Sequence, residues 1–466
     1  MRKTMLIILG GLLALCCTAQ ERNAARLVLS DTTYVDVSLG ASGQAGSLKD
    51  IYTPETWIQG KLDASARRIV GKVRTYGHFG YGYGFGTGST WRGWINPYET
   101  PFMLADSIPG NLSLERYSLE AGAGLPLGRW SLGADVAYDV ALMAKHRDLR
   151  NKNTEMVFRI APGAYYNGGS FGAGLSLGYE RGTERVEYTQ VSSSVEHVLF
   201  DLYGLWLCHG SGYASAETRR QKENNRFFAD LQLDAEIGPL EVHNNFRADY
   251  NTSVQTETGY NNLVFGDVRS LAWSDELEIG IGQAHSIEAE ASLSTMQGFR
   301  PLQMQQLDPD SRIRVWVTYG DPVFCYYRKY HFEKVAYTYG TTWKLTAGVE
   351  NWKMHHYYVE YPRIFQQKLG SVMPFVATEV PLGQWKVAAN LGFAKAYDAY
   401  ADITQWQLAE ALQKQWDFWD GDNFIGGLSV VWHGKKLYVR ADYGFEATSH
   451  FNAARHAGGL TLGLSF

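Results

Sequence analysis

Ten charged side chains in this sequence are placed where they could line a water-filled passage. Asp135, Asp139, Glu180, Asp230, Asp234, Glu241, Arg247, Asp249, Lys386 and Arg440 each sit in a segment where apolar and polar residues alternate. Successive side chains of a β-strand point to opposite faces, so these residues share the face away from the apolar one. Glu278, Glu288, Glu290 and His243 follow the same rule. A lining of both signs sets a transverse field and selects solutes by charge. The same residues could instead fill an interior with ion pairs, and alternation alone does not separate these outcomes.

Other candidate chemistry is weaker. The run 77–98 places Tyr81, Tyr83, Phe85, Trp91 and Trp94 among alternate glycines. These rings could stack on sugars or aromatic ligands, or they could face lipid from one strand. No phosphate-loop spacing or following helix accompanies the glycines. His209 and Ser211 lie two apart, as in outer-membrane lipid hydrolases, but Gly212 follows where those enzymes carry Asn or an acid. A nucleophile also needs an oriented base, so no enzymatic activity is expected. His355 and His356 are adjacent and would face opposite sides of a strand. Neither zinc-protease nor EF-hand spacing occurs, and no metal or cofactor is expected.

The elements that would position these residues are long strands. Trp130, Leu132, Ala134, Val136, Tyr138, Val140 and Leu142 form one face of a segment whose other face is small, polar or acidic. The pattern recurs from Phe171, Phe227, Leu240, Trp385 and Leu437. These runs are about 9–13 residues long. Soluble strands typically have about 5–6 residues, whereas a tilted strand crosses a bilayer in about 9–11. Residues 402–419 instead show a rough helical spacing through Ile403, Trp406, Leu408, Leu412 and Gln415. They predict a short amphipathic helix in an external loop, most simply as loop core.

Short turns fall at Pro126–Gly128, Asn167–Gly169, Gly238-Pro239, Gly282–Ala284, Asn351, Pro381–Gly383 and Gly434-Lys435. Outer-membrane barrels have short turns on one side and long loops on the other. Seven such turns, with both termini on the short-turn side, predict an antiparallel up-and-down transmembrane β-barrel of about 16 strands, with a range of about 14–18. Residues 70–85, 197–208 and 311–338 are also strand-like. Trp130, Trp352, Trp385 and Trp432 adjoin the expected turns, as an interfacial aromatic girdle would.

Composition agrees. Only 20% of residues are charged and 14% are aromatic, which excludes disorder. Lys plus Arg (43) falls below Asp plus Glu (48), so a nucleic-acid partner is not expected. Arg2 and Lys3, the apolar run Met5–Leu15 and the small residues Cys17 and Ala19 predict a signal peptide over 1–19. The barrel domain would then occupy 20–466 of a protein in the Gram-negative outer membrane. Cys208 and Cys325 could form one disulfide there. Leu460, Leu462, Leu464 and Phe466 alternate with Thr461, Gly463 and Ser465. The residues Leu462, Leu464 and Phe466 are thus the expected signal to the barrel-assembly machinery. Other expected partners are outer-membrane lipids and lipopolysaccharide, and a further envelope protein.

Ser113–Tyr117, Gly124–Trp130 and Ala144–Asn153 together resemble an uncharacterised, domain-of-unknown-function family of outer-membrane β-barrels. The resemblance implies the location and the fold and brings no catalytic residues. The basic stretch Lys145–Asp148 within it could meet lipopolysaccharide or form a polar turn. The function expected first is a channel, or an accessory, for passage of a small solute. A non-transporting scaffold for another envelope protein comes second, and a lipid hydrolase last.

Overall fold

The computed structural model describes residues 23–466 apart from 192–196, 206, 214–217, 259–262, 308, 310–313, 361–362, 404–407 and 449–451. The signal-peptide reading of 1–19 lies outside the described residues.

Eighteen strands form the wall. In chain order they begin with β1 (Tyr34–Gly46), β2 (Thr56–Val70) and β3 (Val73–Ser89). After the short loop strand β4 (Met103–Ala105) come β5 (Gly110–Leu127), β6 (Trp130–Lys145), β7 (Arg150–Asn167) and β8 (Phe171–Thr189). The loop strands β9 (Val198–Leu202) and β10 (Cys208–Tyr213) precede β11 (Thr218–Ile237), β12 (Leu240–Thr258), β13 (Leu263–Ile281) and β14 (His285–Arg300). The loop strands β15 (Gln303–Leu307) and β16 (Arg314–Thr318) precede β17 (Val323–Tyr339), β18 (Lys344–Glu360), β19 (Arg363–Leu382) and β20 (Trp385–Ala401). A helix, Ala409–Asp420, leads to β21 (Asn423–His433), β22 (Leu437–Thr448) and β23 (Ala453–Ser465).

Each wall strand pairs antiparallel with the next, and β23 pairs back onto β1 from Asp36↔Ser465 to Gly46↔Arg455. The sheet is a closed barrel. Its 18 strands exceed the expected 16, within the expected range of about 14–18, because the short turns number eight rather than seven. A turn at residues 71–72, where Gly71 takes φ 62°, splits a segment that reads as continuous strand. Asn351 is not a turn: it lies inside β18, and the bend is at 340–343. The eight short connections at one end therefore give 18 strands. Gly128, Gly238, Gly282 and Gly383 also turn with φ between 61° and 69°, a conformation that costs Gly nothing.

Burial divides the two faces of the wall. Leu132, Leu177, Phe227 and Leu391 are 50–65% exposed on the outside, while Asp135, Ser176 and Asp230 on adjacent or alternate positions are at most 4% exposed. An apolar band facing outward is what a membrane requires of such a wall. No helix among the described residues is long and apolar enough to cross a membrane. Trp130 and Trp385 are exposed beside the short turns, and Trp343 joins them in the 340–343 bend. Trp352 does not belong to this girdle. It shares the inward face of buried Met354 and His356 and stacks on Tyr330. On the last strand, Leu460, Leu462 and Leu464 point outward, and Phe466 is also exposed.

The expected disulfide is absent: Cys208 and Cys325 are both buried free thiols. Burial pushes the Cys208 thiol up from its ordinary value. The predicted helix is present as Ala409–Asp420 and begins later than the helical spacing, which runs in part through residues outside the described set. Ala411, Leu412, Gln415 and Trp416 are its buried side.

A single 3-10 turn, Ala24–Leu29, lies inside the barrel near the short-turn end. Asn23 caps it by accepting from the N–H of Ala25 at 3.0 Å, the usual role of Asn at a helix start. Asn23 Nδ2 also donates to Ala164 O, and Ser131 Oγ donates to Ala25 O. Glycine lets the turn sit flush on the wall. A Cβ on Gly133 would come within 2.3 Å of Ala25 N, and one on Gly163 within 2.3 Å of Asn23 Oδ1. Gly133→Leu is therefore expected to undock residues 23–33 while the wall hydrogen bonds stay intact. Limited proteolysis should cut this segment only in the variant, and both proteins should keep heat-modifiable migration on SDS gels.

Candidate functional site: a lumen in two parts

All ten charged residues singled out from the sequence lie on the inward face. The structure brings eight of them into ion pairs, five with residues that alternation did not mark and three, Arg247, Asp230 and Asp249, with one another. Asp135 meets Arg159 at 3.3 Å, and Arg159 also bonds Glu120. Glu180 pairs with Arg226 at 3.2 Å, and Lys386 with Glu379 at 2.7 Å. Asp234 gathers Arg26, His243 and the Tyr165 hydroxyl within 3.3 Å. Arg247 bridges Asp249 at 3.1 Å and Asp230 at 3.7 Å. Arg440 pairs with Asp442 at 2.9 Å. Glu241 sits exposed beside the short turns, and Asp139 is half-buried at mid-wall.

The lower lumen, toward the short turns, is solvated. The inward side chains of Asp63 and Glu288 are 48% and 54% exposed, although Asp63 lies 3.5 Å from His78 and Glu288 lies 2.8 Å from Lys334. Glu278 lies directly across from Glu288 in the same register.

The upper lumen is different. Residues 90–109, between β3 and β5, fold inward and cross it. Trp94 and Phe102 are fully buried, and the Trp94 indole donates to Phe102 O at 2.9 Å. Phe102 rests on Gly266 of β13, where a Cβ would strike its ring at 2.3 Å. Polar side chains of the wall hold the loop backbone. Glu184 accepts from Ile95 N at 2.7 Å, and Asn153 donates to Gly93 O at 2.8 Å. Gln255 donates to Phe102 O at 3.0 Å, and Arg328 to Tyr98 O at 2.9 Å. Arg328 is on β17, nine places from β3 around the ring of 18. The loop therefore reaches the opposite wall.

The centre of this contact is ionic. Lys222 Nζ lies 2.9 Å from Glu184 and 3.0 Å from Glu99 of the loop. Glu184 and Lys222 are essentially without solvent exposure. Buried charges are tolerated when paired and hydrogen-bonded, and Asn153 completes the carboxylate's shell at 2.8 Å.

Other loops close the mouth above. Tyr98 donates to Asp50 of the β1–β2 loop at 2.8 Å. Gln415 of the helix accepts from Ile51 N at 2.8 Å. The strand β9 pairs with both β4 and β10 in a small sheet. One apolar cluster, including Trp91, Trp94, Phe102, Leu202, Tyr203 and Leu412, joins these pieces. Burial and the nearby Asp50 charge raise the Tyr98 phenol well above its usual range, so it stays protonated as a donor. Burial likewise raises the Asp106 carboxyl, against the opposing pull of Lys145. Between the cap and the upper wall a cavity of about 60 Å³ is lined in part by Tyr52, Tyr98, Arg328, His356 and Gln367.

The remaining sequence candidates resolve along these lines. In the aromatic run, Tyr83 and Phe85 face outward from β3, whereas Trp91 and Trp94 belong to the cap. The backbone of His209–Ser211 lies in the capping hairpin, and its side chains lie outside the described residues. His355 faces outward, while His356 is buried inward beside Gln367. Among the described residues no group of His, Cys, Asp and Glu could hold a metal ion. The basic stretch after β6 is spent internally. Lys145 donates to Asp106 at 2.6 Å, Arg147 to Pro109 O, and Arg150 to Asp148.

Glu99, Asn153, Glu184, Lys222, Gln255 and Arg328 were not marked by the sequence. Alternation places the wall members inward but does not show which loop they will meet.

The chain belongs to the family of unknown function DUF6850, whose model matches residues 24–466. No curated protein matches it. Similar solved structures include the copper transporter OprC, at 8% identity and a TM-score of 0.45, covering 92% of this chain and 80% of that one. The ferric-catecholate import receptor Fiu from E. coli K12, open form, has 8% identity and a TM-score of 0.42, covering 94% and 82%. The ferric citrate transporter FecA in its unliganded form has 9% identity and a TM-score of 0.41, covering 93% and 78%.

Lys222→Met removes the cation shared by Glu184 and Glu99. Taking one partner from a buried pair costs about 3–5 kcal/mol. The variant should release residues 90–109, seen as faster amide exchange at Trp94–Phe102, and the Glu184→Gln/Lys222→Met double variant should recover part of the protection.

Proposed function

We propose that this protein is an outer-membrane β-barrel for passage of a small solute, with its external mouth gated by the loop 90–109. The observation that carries this reading is the division of the lumen. A solvated, charge-lined vestibule lies at the short-turn end, and a dry polar-and-aromatic closure lies at the long-loop end. Outer-membrane barrels turn their short connections to the periplasm, so the vestibule would open inward and the closure would face outside.

The closure is built as a gate could be. The loop is held across the lumen by hydrogen bonds, the Glu184–Lys222–Glu99 centre, the Lys145–Asp106 pair and apolar packing rather than by pairing with wall strands. It could be withdrawn without breaking any pairing of the barrel. In the vestibule the solvent-exposed Asp63, Glu241 and Glu288 and the half-buried Asp139 favour cations, while Asp135, Asp230 and Asp234 are paired with Arg159, Arg247 and Arg26. The sealed mouth also supports a second reading, a non-transporting scaffold for another envelope protein.

Conductance in planar bilayers separates the two. The wild-type barrel should be nearly silent. A variant with residues 94–102 replaced by a short Gly-Ser linker should give large steps with cation preference, and adding Asp139→Lys should reduce that preference. A folded loop variant that stays silent would refute the gate and favour the scaffold.

A further inference from the structure

The outer wall carries a basic groove on β17–β20. Lys329, His355, Lys368 and Tyr400 are direct cross-strand partners in one row. The next row holds His331 and Lys353, with Tyr397 laid over Gly370. All share the outward parity of Val335, Val349, Val376 and Leu391, which are 42–65% exposed. Opposite them, Phe332, Met354 and Leu369 are buried inward. Lys395 follows one row further down on β20 and is likewise exposed.

A bulge shapes the groove. Lys368 pairs with Tyr400 and Gly370 with Tyr397, so Asp398 and Ala399 stand opposite a single residue of β19. Asp398 takes φ 53° there. Such an extra residue bends the strand and re-aims side chains. The resulting groove has a volume of about 720 Å³ and is lined by Lys329, Lys353, His355, Lys368 and Tyr400, among others.

The charge is not spent within the protein. Two acids lie at this face: Glu333, which meets His331 at 3.3 Å and Asn351 at 3.1 Å, and Asp398 of the bulge, which lines the groove. Lys353 also lies over the Tyr397 ring at 5.4 Å, a contact that leaves its charge in place. Among the described residues, no carboxylate lies within 4.0 Å of Lys329, Lys353, Lys368 or Lys395.

Height decides what the groove would meet. Tyr339, Trp343 and Trp385 mark the lower aromatic edge of the wall. Lys329 lies ten residues up β17 from Tyr339. At about 3.4 Å per residue and a tilt of about 40°, this is about 25 Å, the height of a barrel's apolar band. Just above it Tyr327 and Tyr357 stack at 5.2 Å, as an upper girdle would. The lysines thus stand where the headgroup phosphates of the outer leaflet lie.

Given the outer-membrane placement proposed above, we infer that this groove binds the phosphorylated glycolipid of the outer leaflet, with Lys329, Lys353 and Lys368 on its phosphates. Acyl chains would run down over Val335, Val349 and Val376. Clustered lysines at a membrane surface attract anionic headgroups in this way.

The test titrates detergent-purified protein with bisphosphorylated lipid A and with its dephosphorylated form, read by native mass spectrometry. The wild type should bind the phosphorylated lipid about tenfold more tightly. K329Q/K353Q/K368Q should lose that preference, and K329R/K353R/K368R should keep it. Heat-modifiable migration shows that each variant is folded. A folded Gln variant that keeps the preference, or a wild type without one, overturns the proposal. Full competition by millimolar inorganic phosphate also overturns it, in favour of a free-phosphate site. Recovery of the protein away from the outer-membrane fraction would instead defeat the placement, whatever the binding result.

Discussion

Pairing of β23 with β1 is the constraint on which the rest of the structure depends. A sheet edge in hydrocarbon would leave a row of backbone N–H and C=O groups with no water to satisfy them. The seam from Asp36↔Ser465 to Gly46↔Arg455 removes that edge. Once the ring closes, each residue of a wall strand faces either outward or inward. The apolar positions become the outer surface, and the interior must be filled by polar side chains, water or folded-in chain. Eighteen strands enclose too much space for side chains alone to fill.

The protein fills that space in two ways. Near the short turns, the 3-10 turn at Ala24–Leu29 takes a groove made by inward glycines, and the rest stays wet. Near the long loops, the chain between β3 and β5 crosses the lumen and carries its own aromatic core with it. The contacts that fix it are mostly from wall side chains to loop backbone. Such contacts need no sequence match in the loop beyond Trp94, Glu99 and Phe102, and they are specific because Glu184, Asn153, Lys222 and Gln255 on the wall are buried.

The wall was largely legible from the sequence, because period-two alternation reports strand, face and length together. Inward placement of Asp135, Asp230 and Arg440 followed directly. The strand count was not, because Val70-Gly71-Lys72-Val73 keeps an apolar pattern through a turn; Asn351, which looks like a turn yet sits mid-strand, misplaced one turn without changing the count. Counter-ions such as Arg159 and Glu379 were hidden because pairing depends on register between strands. The loop closure was hidden for a deeper reason. The segment 90–109 has no period, and Lys222 and Glu184 are 38 positions apart on strands that become neighbours only when the long loop between them folds out of the way. The outward lysines were invisible singly, since only the β17–β20 register puts them side by side.

The division of the lumen is the central claim, and side-resolved labelling tests it most directly. Asp63→Cys and Glu288→Cys would each place an accessible thiol in the lumen, whereas Cys208 and Cys325 are buried. In oriented proteoliposomes, an impermeant maleimide should label both positions only when offered from the short-turn side. Equal labelling from both sides would contradict the account, since the loop 90–109 could not then be closing the upper lumen.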